Sequence, residues 1–243
     1  MKIYVVGIGP GGIDELTPRA YKTLESCTII AGYKRYVDLI RKYFPEKSFM
    51  ISSMRQEIER CENLLDAVKK NNVDGALISS GDAGVYGMAG LMLEIASGSG
   101  IEVEVVPGIT AANSAAAVLG APLMNDYVNI SLSDLMTDWN TIAKRLVLAS
   151  EGDFVICLYN PASNHRPENF KKACRILLKY KSPDTPAGYV RNIGREGQEF
   201  TIMTLNEIQH CDKIDMLTTV IIGNSQSYIQ NGKIITPRGY KLE

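Results

Sequence analysis

Short apolar runs alternating with segments of helical period fill the first 120 residues, and no other feature restricts the fold as strongly. Strands are expected at 3–6, 28–31, 49–51, 76–79 and 102–106. Between them lie helical patterns. Thr17-Pro18 supplies an N-cap followed by proline at the first helical position, with Ala20, Tyr21, Leu24 and Cys27 on one face. Residues 56–70 are amphipathic, with Ile58, Cys61, Leu65 and Val68 expected inward. Further helices are expected over 33–43, 88–96 and 111–119. A strand that returns parallel to its predecessor needs a crossover helix, so this order predicts an α/β fold with a mostly parallel sheet covered on both faces.

After Gly120-Ala121-Pro122 the character shifts. Strands are expected at 128–132, 154–159, 186–192, 202–205 and 218–222, with helices at 139–148 and 167–180. Residues 228–236 read as a hairpin turning at Asn231-Gly232. More strand and less helix predicts a mixed sheet, so a boundary is expected near Pro122, with α/β domains at 1–122 and 123–243.

Charge and cysteine usage narrow the function classes. With 26 Lys+Arg against 27 Asp+Glu, there is no global basic field to recruit nucleic acid. The five cysteines are scattered, odd in number and never spaced as CxxC, which points to a reducing cytoplasm and away from zinc or iron–sulfur centres. Two histidines exclude a histidine-rich metal site, so no metal is expected. The N-terminus runs directly into a strand, with no secretory leader expected. No apolar run approaches the ~20 residues of a membrane helix.

The stretch Ala76-Leu77-Ile78-Ser79-Ser80-Gly81-Asp82-Ala83-Gly84-Val85-Tyr86-Gly87 ends an apolar strand in small residues and one carboxylate. Ligands in open α/β sheets collect at such carboxyl ends. Asp82 offers an acceptor for a hydroxyl or amine; equally, it caps the following helix. Gly7-Ile8-Gly9-Pro10-Gly11-Gly12 satisfies G-x-G-x-x-G, yet the helix start at Thr17-Pro18 comes too late to meet a pyrophosphate. The region that should carry a ribose-binding acid reads Thr28-Ile29-Ile30-Ala31-Gly32. A nicotinamide-dependent oxidoreductase is therefore the more distant alternative.

These two loops and Pro107-Gly108-Ile109-Thr110-Ala111 together resemble the tetrapyrrole (corrin/porphyrin) methyltransferase family. The family's first loop is typically G-x-G-P-G-D, where this chain has Gly12 in place of the aspartate. Its second is typically G-D-P-x-x-Y-G, where Ala83 replaces the proline; the third, P-G-I-T/S, is intact. In the second half, Asn129-Ile130-Ser131-Leu132-Ser133-Asp134-Leu135, Tyr159-Asn160-Pro161, the segment 188–197 and the segment 215–225 resemble the precorrin-3B C17-methyltransferase branch. The resemblance implies two α/β domains with a cofactor cleft between them. It also implies S-adenosylmethionine as methyl donor, a small-molecule tetrapyrrole as acceptor and a homodimer. Contacts to the cofactor are implied for Pro10, Ser80, Gly81, Asp82, Val85, Thr110, Ala111 and Asn160, with Val190 and Thr218 from the second domain.

A tetrapyrrole carries carboxylates around its rim, and guanidinium forks pair them bidentately. Arg191 and Arg195, in a glycine-flanked segment, are the expected partners; Lys34, Arg35 and Arg166 are weaker ones, and the alternative for any of them is a solvated charge. Ring contraction requires a proton to move, for which Ser131, Ser133, Asp134, Tyr86 and Glu196 are candidates. Residues 131–134 read equally as a strand end capping the helix at Trp139. His165 reads as a helix-cap neighbour, and Cys157 and Trp139 as packing. The nearest alternative keeps fold and donor but changes the acceptor to another corrin carbon, diphthine or ribosomal RNA.

Overall fold

The computed structural model describes residues 1–163 and 166–241; His165 lies outside them. The chain divides into two compact units, Met1–Ala111 and Ala112–Glu243. In the first, β1 (Lys2–Gly7), α1 (Pro18–Ser26), β2 (Ile29–Tyr33), α2 (Lys34–Ile40), β3 (Ser48–Ser52), α3 (Glu57–Asn71), β4 (Gly75–Ser79), α4 (Ala89–Ile95) and β5 (Glu102–Val106) follow in sequence. The strands pair in parallel in the order β3-β2-β4-β1-β5.

Side-chain alternation explains the layers. Ile3, Val5, Ile29 and Leu77 pack one face against α3 and α4. Val6, Ile30, Ala76 and Ile78 pack the other against α1 and α2. Strand β4 is buried at every position, as a central parallel strand covered on both sides must be. Thr17 caps α1 as expected, its Oγ1 accepting from Ala20 N at 3.1 Å. The inward face of α3 differs from expectation. Ile58 is 59% exposed, while Leu64 and the charged Arg60 are buried. Arg60 reaches Ser52 Oγ at 2.5 Å, Ser53 O at 2.9 Å and Met88 Sδ at 3.7 Å, so the helix turns a cation inward to fasten two loops.

The second unit holds α5 (Ala111–Leu119, its first residue on the boundary), β6 (Gly120–Ala121), β7 (Tyr127–Ser131), α6 (Trp139–Glu151), β8 (Val155–Tyr159), α7 (Asn169–Leu177), β9 (Pro186–Arg191), β10 (Glu199–Thr204), α8 (Leu205–Ile208), β11 (Thr218–Ile222), β12 (Tyr228–Gln230) and β13 (Lys233–Ile235). Its main sheet runs β10-β9-β11-β8-β7, with β7 and β8 parallel and the other pairs antiparallel. Helices α6, α7 and α8 cover one face. Cys157 is fully buried, and burial pushes its thiol up to about 12. Trp139 packs against this core.

The division falls ahead of α5, whereas the composition shift falls after it, at Pro122. The reason is packing: a Cβ on Gly188 of β9 would lie 2.9 Å from Leu119, so the fully buried Leu119 sits directly on the second sheet. Two short elements escaped the sequence reading. Strand β6 has two residues and pairs in parallel with β13. Helix α8 follows a Thr204–Glu207 capping box, where residues through 205 read as strand. The expected hairpin is present as β12 and β13, with both turn residues, Asn231 and Gly232, at positive φ.

An ion network joins β9, β10 and the approach to β11. Arg191 Nε donates to Asp215 Oδ2 at 2.8 Å and Nη1 to Glu199 Oε1 at 3.0 Å, while Lys213 Nζ donates to Glu199 Oε2 at 3.2 Å. Burial opposes ionisation of Asp215. It is outweighed by the hydrogen bonds from Arg191, Leu217 N and Thr218, so this carboxyl titrates below its usual value. A lowered folded-state pKa gives stability that is present above the unfolded value, about 3.9 for aspartate, and lost as pH falls through the folded one. Arg191→Met is therefore expected to lower the urea midpoint near neutral pH, and its gap from the parent protein should close in acid. A gap independent of pH would refute this assignment. Leu119→Ala is expected to destabilise the protein by about 2–5 kcal/mol, read from the same denaturation curves.

Candidate active site

In the first unit three adjacent strands, β4, β1 and β5, end at one edge of the sheet, with Gly7 level with Ser79 and Val6 level with Val106. The loops that leave them are fastened by main-chain bonds. Gly9 N donates to Gly81 O at 3.0 Å, Gly81 N to Gly9 O at 2.8 Å, and Ile8 N to Ser79 O at 2.9 Å. The third loop is held by a side chain. Asp82 Oδ1 accepts from Gly84 N at 2.7 Å and Oδ2 from Gly108 N at 2.9 Å. Close approach demands glycine here: a Cβ on Gly108 would meet Gly81 O at 2.3 Å, and one on Gly7 would meet Gly108 N at 2.6 Å.

This geometry decides between the two readings of Asp82. Helix α4 begins at Ala89 without a side-chain cap from its preceding residue, and Ser79 Oγ accepts from Met88 N at 3.2 Å instead. Asp82 is thus a clasp between loops and not the cap of α4. A carboxylate has about four lone-pair sites, so two remain for a ligand. Pro10 is buried, and Ser80, Val85, Thr110 and Ala111 are half-buried at the same edge. Tyr86 is 54% exposed and adopts φ +55°, a left-handed conformation rare for an aromatic residue. Helix α1 starts only at Pro18, after a 3-10 turn over Ile13–Glu15, so α1 does not present its N-terminus to the first loop.

In the second unit, Ser131, Tyr159 and Arg191 end β7, β8 and β9 at one edge, where Thr218 begins the antiparallel β11. Asn160, at φ +51°, donates from Nδ2 to Ser131 Oγ at 3.0 Å. Ser131 Oγ also accepts from Ser133 N at 3.2 Å. Tyr159 OH accepts from Ala112 N at 2.8 Å at the start of α5. The cap of α6 is Asp138, which accepts from Thr141 N at 3.0 Å, so residues 131–134 are not its cap.

The other expected residues are distributed unevenly. Val190 is fully buried, and Thr218, 3% exposed, bonds Asp215 Oδ1 at 2.9 Å. Glu196 is exposed in the turn between β9 and β10, apart from the serine cluster at the ends of β7 and β8. Arg195 is half-buried in that turn, its N donating to Asn192 O at 2.9 Å. Arg191 is committed to two carboxylates, which its sequence neighbours did not reveal. Arg166, by contrast, has a side chain only 10% exposed and lies 3.9 Å from Asp134.

Comparison with known proteins agrees with this architecture. Residues 2–209 match the family described as Tetrapyrrole (Corrin/Porphyrin) Methylases. A protein of Salmonella typhimurium named probable cobalt-factor III C(17)-methyltransferase is 45% identical over 98% of this chain and 99% of its own length. The precorrin-3B C(17)-methyltransferase of Sinorhizobium sp. is 34% identical over 98% of this chain and 96% of its own. The crystal structure of the methyltransferase CobJ superposes with a TM-score of 0.87 at 31% identity, covering 97% of this chain and 99% of that one. The chain belongs to the tetrapyrrole (corrin/porphyrin) methylase family.

Proposed function

We propose that this protein transfers a methyl group from S-adenosylmethionine to C17 of a tetrapyrrole of the cobalt-factor III or precorrin-3B type, with ring contraction, in cobalamin biosynthesis. The end-to-end similarity to the Salmonella methyltransferase carries the choice of acceptor. The loops of the first unit support the choice of donor. Residues 7–12, 79–87 and 107–111 contain no Lys, Arg or His, and Asp82 is their one charged side chain. Such a rim suits a cationic ligand without phosphates and disfavours a dinucleotide.

Gly81, Val85, Thr110 and Ala111 would hold the cofactor chiefly through main-chain groups, with Pro10 and Ser80 beside them and Asp82 facing the ammonium or a ribose hydroxyl. Asn160, Val190 and Thr218 would contribute from the second unit. When bound, S-adenosylmethionine supplies an electrophilic methyl on its sulfonium. The protein's part is orientation, which supplies much of a methyl transfer's acceleration. Ser131, oriented by Asn160, and Ser133 and Asp134 beside it are the proposed groups for proton movement; Tyr86 and Glu196 are the more remote candidates. The working form is proposed to be a cytoplasmic homodimer, with Arg195 at the substrate's periphery; Arg191, expected there from the sequence, is instead taken by Asp215 and Glu199.

Calorimetric titration tests the donor. S-adenosylhomocysteine is expected to bind in the micromolar range and NADH to give no heat; the reverse result would sink the methyltransferase reading. Asp82→Asn presents one amide NH2 where an acceptor is needed, so one loop tie is lost. Affinity for S-adenosylhomocysteine is expected to fall about tenfold or more, and unchanged affinity would show that the clasp does not shape the pocket.

A further inference from the structure

We infer that Arg166 binds a peripheral carboxylate of the tetrapyrrole, an inference that rests on the acceptor proposed above. A guanidinium has five N–H donors and needs acceptors once it leaves water. Arg166 meets few. Its Nε donates to Ser163 Oγ at 3.3 Å, and Nη2 faces Met216 Sδ, a weak acceptor, at 3.4 Å. Asp134 Oδ1 lies 3.9 Å from Nε, close enough to offset the charge and too far for a hydrogen bond. Nη1 is buried with no hydrogen-bond partner among the described residues.

Two other arginines show that this is not the ordinary condition of the chain. Arg191 is more exposed, at 33%, and pairs with two carboxylates. Arg60 is as enclosed as Arg166, but serine and carbonyl oxygens take its Nε and Nη2. Arg166 alone among the three combines burial, an unpartnered nitrogen and no carboxylate at bonding distance. Its position fits a substrate role. It follows β8 by a few residues, touches Ser163 and neighbours Asp134, on the loop that continues from Asn160 and its bond to Ser131. A ligand carboxylate supplies what this guanidinium lacks: two anionic oxygens in a plane, matched to its fork. The acetate and propionate arms of a tetrapyrrole carry such groups. The methionine end of the cofactor carries one as well, so the test separates the two.

The full-length protein, Arg166→Met and Arg166→Lys would each be titrated with cobalt-factor III, with its methyl-ester form and with S-adenosylhomocysteine. The free acid is expected to bind Arg166→Met at least about tenfold more weakly than the parent, with the ester bound equally by both. Affinity for S-adenosylhomocysteine should stay within about twofold, which also reports that the variant is folded. Arg166→Lys keeps the charge without the fork and should fall between the two. If Arg166→Met fails to fold, the lysine variant decides, and an affinity equal to the parent's overturns the proposal. Equal binding of the free acid by Arg166→Met and parent also overturns it. So does a loss confined to S-adenosylhomocysteine, which would assign the carboxylate to the cofactor. Failure of the parent itself to bind the tetrapyrrole would overturn this inference together with the acceptor reading, whereas a defect-free variant in a binding parent leaves that reading intact.

Discussion

The double acceptance by Asp82 is the interaction on which the first unit's site depends. Parallel strands deliver three loops to one edge, but nothing in strand pairing fixes loops beyond the last ladder bond. Main-chain bonds between Gly9 and Gly81 join the first two loops, and one carboxylate ties in the third, taking Gly84 N with one oxygen and Gly108 N with the other. The glycines allow the approach, and the aspartate holds it. Hydrogen bonds to an ionised acceptor are roughly twice as strong as neutral ones, so a small group suffices to order the loops. With half of its acceptor sites used internally, Asp82 is both a structural clasp and a member of the proposed ligand shell.

The second unit treats its arginines differently. Arg191 stands at the end of β9 beside an acid on β10 and another on the approach to β11, and its charge is spent there. Arg166 stands on an irregular loop and is enclosed with little to bond. The physical distinction is acceptor supply, and it depends on which strand lies next to which. A flanking-residue pattern cannot carry that information.

The same limit explains what was legible in the sequence. The β/α alternation, the late start of α1 and the hairpin at Asn231-Gly232 follow from periodicity and turn chemistry, which are local. So does the identification of the three glycine loops. Four things were not local. The burial of Arg60 in place of Ile58 depends on loops that α3 meets in space. The allegiance of α5 to the second unit depends on Leu119 meeting Gly188. The donors that decide Asp82's role are backbone amides, invisible to any residue pattern. Strand β6 is too short to register by alternation.

That short strand has a consequence for how the molecule is made. The pairing of β6 with β13 joins the opening of the second unit to a strand more than a hundred residues later in the chain. Chains fold as they are synthesised, amino end first. The first unit can therefore close its own sheet as soon as β5 emerges, while the second keeps the ledge beside Gly120 and Ala121 open until β13 arrives.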